Sequence, residues 1–396
     1  MTVVTPLRTS VALITALGAA VGCGLILGIE DKPVRRDADA SDATAVEVDR
    51  CQHAFAPPAT GADEDPTTRG TYVVAVRRVA FGGEDAGVLG FDLDGTCTCA
   101  GTGGAHDASA SCSHPTGAAA ASCDGDGGID NALGALAPVR ALVDTDIDST
   151  ETDCGRWALL FVLLNYNGLA NDSDVQLGPV LSPGIDQPHE VGEAPSGCNE
   201  DGLVTVYAAR WDGTDEWSSD TTFVPKKSTI PFRIIDGFVR DWVLVARAGQ
   251  TPIDMPIGPA IVEATQATVV AQIEPLDDGL AKIGAGARAT RIRLRGQIAG
   301  RVAAPNMLKA GAAFRPRGAG PLCPTGSGAS FYEALKSSLC GSLDVMVDPQ
   351  RDFTGAACDA VSAGVSFTAD PARMSRAKDA VPTPPGPCPD TPDSCN

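Results

Sequence analysis

Apolar and polar residues alternate with a period of two through much of the chain between Thr71 and Val302. In ATRIRLRGQIAGRV, Ile292 and Leu294 face one way, and Arg291, Arg293 and Arg295 face the other. Strands with one wet face belong to antiparallel sheets. TYVVAVRRVAF (71–81), VLGFDLDG (88–95), LVTVYAARW (203–211) and ATVVAQIEPL carry related patterns. WALLFVLLNYNG (157–168) is a continuous apolar run that ends in Asn-Gly, a strong turn signal. IPFRIIDGFVRDWVLVARAG (230–249) reads as a hairpin turning at Asp236-Gly237. No alternation of strands with helices appears, which argues against a doubly wound nucleotide-binding sheet.

After residue 303 the period changes. NMLKAGAAF (306–314) and SFYEALKSSLCGSLDVMV (330–347) have helical spacing, with Phe331, Leu335, Leu339, Leu343 and Met346 on one stripe. CDAVSAGVSF (358–367) reads as starting with another helical turn. The pattern predicts a mainly β protein: a disulfide-braced antiparallel β-sandwich, jelly-roll-like, over 51–303. A small helical, disulfide-rich cap follows over 304–375, and then a Pro-rich tail over 376–396.

The N-terminus adds a location. Arg8 precedes an apolar run from Val11 to Gly22, and small residues follow up to Cys23. This is the layout of a secretory signal over 1–22. The ending Ala20-Val21-Gly22-Cys23 resembles the lipobox of bacterial lipoproteins, which implies cleavage before Cys23, its lipidation and attachment to a membrane. The family's usual leucine is replaced by Ala20. An uncleaved anchor is the other reading, because the apolar stretch runs on to Ile29, and about 20 apolar residues span a bilayer. Plain secretion is a third reading, and all three place the globular part outside the cytoplasm; Gly24 after the cysteine suits the outer membrane. Residues 23–50, rich in Ala and Asp, read as a flexible acidic spacer.

Composition narrows the partners. With 50 acidic and 30 basic residues the net charge is −20, a surface that repels nucleic acid. There are 13 cysteines. Giving Cys23 to a lipid leaves an even number, which in an exported chain reads as disulfides. Cys388 and Cys395 pair with each other or pin the tail to the cap.

As a set, GFDLDGTCTC (90–99), CDGDGGIDNALG (123–134), NYNGLANDSDVQLGPVLSPG (165–184), GQIAGRV (296–302) and CDAVSAGVSFTADPA (358–372) resemble a group of uncharacterised cell-surface lipoproteins of myxobacterial type. The resemblance spans Thr71 to Ala372. It implies a location and carries over no functional residue.

Three places offer chemistry. In CDGDGGIDN, Asp124, Asp126 and Asp130 have the rhythm of a calcium loop, since calcium takes six to eight hard oxygen ligands. The bidentate Glu of an EF-hand is absent, because Ala135 stands there. Asp92 and Asp94 of FDLDG could complete the set. The competing reading is a Gly-rich turn whose Asp130 or Asn131 caps a helix. Acidic stretches at 144–153 and 171–174 read as solvated charge. Cys97, Cys99, His106, Cys112, His114 and Cys123 could be drawn as a zinc site, but the spacing lacks a CxxC knuckle and the compartment favours disulfides. In RWDGTDEW (210–217), Trp211 and Trp217 flank an acidic turn, as stacking residues in sugar-binding loops do, whereas Trp242 sits in an apolar run that suits a core. No nucleophile elbow occurs. The reading that follows is a non-enzymatic envelope lipoprotein with a structural or ligand-binding role, its partner a glycan or an envelope protein. The alternative is an extracellular glycan hydrolase using acidic residues.

Overall fold

The alternating segments pair into a sheet that closes on itself. The computed structural model describes residues 53–57, 69–80, 89–98, 110–114, 124–136 except 126, 152–186, 189–190, 198, 207–220, 233–257, 260–277, 288–313, 322–323, 328–378 and 393–395. The signal, Cys23, the spacer and most of the tail lie outside these residues.

Eight strands form the ring: β1 (Gly70–Ala80), β2 (Ala158–Tyr166), β3 (Asp172–Ser182), β7 (Ile235–Arg240), β8 (Val243–Arg247), β10 (Ala260–Pro275), β11 (Ile292–Ala303) and β12 (Ala360–Pro371). Each pairs antiparallel with the next, and β12 returns to pair with β1. The fold is therefore an up-and-down barrel and not the expected sandwich, and it has none of the crossovers of a jelly roll. Alternation could not separate the two, because both architectures give every strand one dry face. What distinguishes them is the pairing of β1 with β12, far apart in sequence.

Residues 358–367 are overturned in the same way. They do not open a helix; Ala360–Pro371 is the strand between β11 and β1. The boundary at 303/304 thus does not separate two folding units. The β7–β8 hairpin also turns later than expected, at Asp241–Trp242, both with positive φ (49° and 64°). Gly237 sits mid-strand because a Cβ there would lie 2.6 Å from the Val245 carbonyl oxygen. The left-handed Trp242 is held by its own N–H donating to Ala170 O (2.9 Å) and by Ile273 N donating to its carbonyl (2.6 Å).

Val74, Phe161, Leu163, Leu177, Leu244, Val269, Leu294, Ile298, Val365 and Phe367 point inward and are buried in one cluster. Phe161 and Phe367 meet with ring centres 5.1 Å apart. An eight-stranded barrel is just wide enough for side chains to fill. The outer wall of β10–β12 carries ion pairs: Arg293 to Asp370 (2.6 Å) and Arg295 to Glu274 (3.1 Å). Apolar inside and charged outside is the reverse of a lipid-spanning barrel. No helix among the described residues is long and apolar enough to cross a membrane.

Layers outside the ring complete the molecule. Helices α2 (Ala304–Ala313) and α3 (Ala329–Cys340) form where helical spacing predicts them, and bury Met307, Leu308, Leu335 and Leu339 in the barrel's own core cluster. The third stretch of the stripe departs: α3 stops at Cys340, and Val345 bridges to Ala360. The Cys340–Cys395 disulfide pins the chain's end to α3, one of the two expected arrangements. Cys112–Cys358 and Cys154–Cys198 brace other loops. On the opposite wall, β6 (Glu216–Asp220) pairs with β13 (Arg373–Lys378), and this ribbon covers β1–β3. Three further short strands, β4 (His189–Glu190), β5 (Tyr207–Ala208) and β9 (Ile253–Ile257), lie outside the ring; β9 pairs with the first part of β10, whose ladder breaks at a bulge between Thr265 and Thr268.

Gly296 tests the closure. A Cβ there would sit 2.0 Å from Val270 O, so β10 and β11 could not keep their register. Overpacking of this kind costs about 1–3 kcal/mol or more. Gly296→Ala is expected at the top of that range, read as a lower denaturant midpoint; an unchanged midpoint would mean that the two strands are not packed this closely.

Candidate metal centre

The two sequence segments FDLDG and CDGDGGIDN meet on the outside of β12. Phe91 and Asp130 form an antiparallel bridge, with Asp130 N donating to Phe91 O (3.1 Å). Residues 53–55 run alongside: Ala54 N donates to Gly127 O (2.8 Å), and Asp92 N to Ala54 O (3.1 Å). Gly128, at φ +72°, is required here. A Cβ would lie 2.7 Å from Cys97 Sγ, 2.8 Å from Thr96 O and 3.2 Å from Asp92 Oδ2.

Asn131 then caps the short helix α1 (Ala132–Ala135) by accepting from Gly134 N (3.1 Å). Its side chain also accepts from Gly364 N (2.8 Å) and donates to Gly364 O (3.2 Å) on β12. The Asn131 cap, expected under either reading of the loop, sits beside the acidic cluster.

Oxygens of Asp92, Asp94 and Asp130, all buried, lie within 4.8 Å of one another. Asp92 accepts from Gly95 N (2.6 Å) and touches His53 Nδ1. Asp94 Oδ1 accepts from Thr96 N (3.0 Å) and Thr96 Oγ1 (3.1 Å). Asp130 accepts from Leu93 N (2.6 Å). Asp124 accepts from Thr98 N (2.5 Å) and Thr98 Oγ1 (2.9 Å), and its side chain is hydrogen-bonded to that of Asp130. Asp126 lies outside the described residues.

A fifth carboxylate, Asp344, was not anticipated. It is buried, and Ser362 of β12 donates to it through N (2.8 Å) and Oγ. Its charge acts on Asp130, and the charges of Asp124 and Asp94 act on it. The only sequence signal was an acid between the apolar residues Leu343 and Val345.

Burial is the main cause that raises these acids, because it penalises the charged form. Asp124 is pushed up to about 6 and Asp344 to about 7. Asp130 stands well above the usual carboxylate range through burial and the charges of Asp94, Asp344 and Asp124. Asp92 is raised by burial and held back by its bond to His53. Arg301 comes near but is spent elsewhere: buried on β11, it makes a two-pronged pair with Asp352 (2.9 and 2.7 Å) and reaches the node only at the carbonyl of Leu93. Clustered hard oxygens, with backbone donors fixing their outer lone pairs, are what a calcium-sized cation coordinates.

The other sequence candidates separate. Cys112 is bonded to Cys358, and Cys97 is also oxidised, so neither is a zinc thiolate. His114 Nδ1 lies 3.2 Å from Leu343 O, while Cys99, His106 and Cys123 lie outside the described residues. Trp217 is fully buried against Ala75, Leu160, Val162 and Val180 on the outside of β1–β3. Trp211, at φ +57°, lies between Trp217 (centroids 5.6 Å apart) and the guanidinium of Arg77 (5.2 Å). In this arrangement Trp217 offers no ring face to a ligand. The partly buried Trp242 packs on the core, as its apolar setting suggests.

Groups whose pKa is raised on folding stabilise the protein while protonated, and that contribution is lost as pH rises through the folded value. In chelator, stability is therefore expected to fall between about pH 4 and pH 7, as Asp124 and Asp344 ionise. Urea midpoints at half-unit steps of pH measure this; a midpoint that rises over the interval would mean that the carboxylates are not buried together.

No protein-family model matches the chain, and searches of curated proteins and of solved structures return no match.

Proposed function

We propose that this chain is an exported envelope protein, lipid-anchored through Cys23 in the manner of the surface lipoproteins it resembles. In this reading its barrel is a non-enzymatic binding or structural module locked by a calcium ion at Asp92, Asp94, Asp124 and Asp130. The carrying observation is the convergence of the buried Asp92, Asp94 and Asp130 from two loops, with the half-buried Asp124 beside them and His53 as the one basic side chain among the described residues that contacts them. Ionised carboxylates out of water cost several kcal/mol each unless a counter-charge compensates. At neutral pH the cluster must keep protons or hold a cation, and an exported protein meets millimolar calcium.

Calcium suits the donors better than zinc or copper, because the set is carboxylate oxygen without thiolate. The ion would tie the 91–98 loop to the 124–131 loop, and through Asn131 and Gly364 to the closing strand β12. Its role is then architectural. Oxidised Cys97, Cys112, Cys154, Cys323 and Cys358 support the exported setting.

Thermal unfolding of the full chain in chelator and in millimolar calcium tests the reading. A site filled at a hundredfold excess over its dissociation constant adds about 2.7 kcal/mol, a shift of several degrees. Asp130→Asn is expected to abolish the calcium shift, read against the parent in the same buffers. Identical midpoints with and without calcium would sink the proposal.

A further inference from the structure

Toward the other end of β12 from the carboxylate node, which docks at Ser362 and Gly364, a cavity of about 430 Å³ opens beside Pro371 and the start of β13. Its volume is in the range of small-molecule sites, about 300–1,000 Å³. Tyr72 from β1, Pro371 from the end of β12 and Met374 from β13 give it an apolar floor. Thr71, Thr290, Arg291 and Arg373 give it a polar rim that carries no carboxylate among the described residues.

The two arginines stand out in a chain of net charge −20. The backbone of Arg373 is fixed, its N–H donating to Asp215 O (2.9 Å). Its side chain is exposed and has no acidic group within ion-pair distance among the described residues, although Glu216 is its cross-strand neighbour. Arg291 donates one guanidinium N–H to the carbonyl of Asp212 (2.7 Å), which orients the group; its charge helps hold the Asp277 carboxyl below its usual range, yet no carboxylate among the described residues lies within ion-pair distance of it.

The acids nearby are held by backbone and hydroxyl donors. Asp277 accepts from Thr290 N and Oγ1 (2.5 Å each) and from Arg291 N (3.2 Å). Asp212 accepts from Thr214 N (2.9 Å) and Oγ1 (2.5 Å). Gly213 makes the wall possible: a Cβ there would press within 3.3 Å of Arg291 Nε. RWDGTDEW thus borders a cavity through its glycine, while its two tryptophans pack into the wall behind.

We infer that this groove binds a small carboxylate-bearing molecule of sugar-acid size, its carboxylate held by Arg291 and Arg373 and its less polar face laid on Tyr72 and Met374. Guanidinium groups match a carboxylate with paired, charge-assisted hydrogen bonds, and an aromatic and thioether floor suits the C–H face of a sugar ring. The inference is independent of the cation node.

Calorimetric titration of the full chain at fixed calcium tests it, with galacturonate, galactose and sodium sulfate as probes. Saturable binding of galacturonate, at least tenfold tighter than of galactose or sulfate, is expected. Arg373→Gln should weaken it about tenfold with the melting temperature unchanged, and Arg291→Gln should do the same. Equal affinity for galactose would show that the charge is not read, and equal affinity for sulfate would reduce the groove to a bare anion site. Either result, an absence of saturable galacturonate binding, or an Arg373→Gln protein that binds like the parent would overturn the proposal.

Discussion

Closure of the barrel rests on one contact, the pairing of β12 with β1. The segment 360–371 must find the segment 70–80 across nearly the whole folded chain, and Val74 then sits opposite Pro371 and Val79 opposite Phe367. Contacts so far apart carry a large loop-closure cost and form late. The structure invests in the strand that makes this one. The outer face of β12 is gripped by Asp344 at Ser362 and by Asn131 at Gly364, and Ala132 N also donates to Ser362 Oγ (2.8 Å). The Cys112–Cys358 bridge fixes the chain two residues before the strand begins. One acid of the carboxylate node, Asp344, docks this strand directly, and Asn131, next to Asp130, docks it from the same loop, so the node and the closing strand share a segment.

Two buried charge arrangements stand side by side on that wall and solve the problem differently. Arg301 and Asp352 compensate each other through two short hydrogen bonds, and Arg301 further donates to the carbonyls of Met346 and Leu93. The node gathers like charges instead. Donors from Gly95, Thr96, Thr98, Leu93 and Ser362 satisfy outer oxygens but bring no net positive charge. Such donors hold carboxylates in place; they do not offset mutual repulsion at low dielectric. Folding by neutral donors alone would favour protonated acids, which fits the raised values at Asp124 and Asp344.

How far the sequence could be read follows from the range of each signal. Local signals were legible: the inward Ile292 and Leu294, the turn at Asn167-Gly168, the helices at 304–313 and 329–340, and the Asn131 cap all depend on near neighbours. The meeting of FDLDG with CDGDGGIDN was legible as chemistry, because a calcium loop short of ligands needs acids from elsewhere. Closure was not, since a period of two marks the dry face of a strand and says nothing about which strand lies beside it. Residues 358–367 misled for a related reason. β12 does alternate, with Val361, Ala363, Val365 and Phe367 inward and Ser362, Gly364 and Ser366 outward, but its small Ala, Ser and Gly residues weaken the contrast and let the segment read as a helix start. Asp344 hid in an apparently helical stripe, and Trp217 was read as a platform because the ribbon that buries it onto β1–β3 is a long-range pairing with β13.

The packed interior also decides where function can reside. Wider barrels can hold a ligand in the lumen, but here Phe161, Phe367 and their neighbours fill the space. The two sites proposed above therefore lie in the layers added outside the ring, and the insertions between strands build these layers. The segment between β1 and β2 supplies four carboxylates of the node, and the segment between β5 and β6 supplies the glycine wall of the groove. Both lean on β11 and β12, and the groove also on β1. A rigid ring with variable loops can change what it binds without repacking its core.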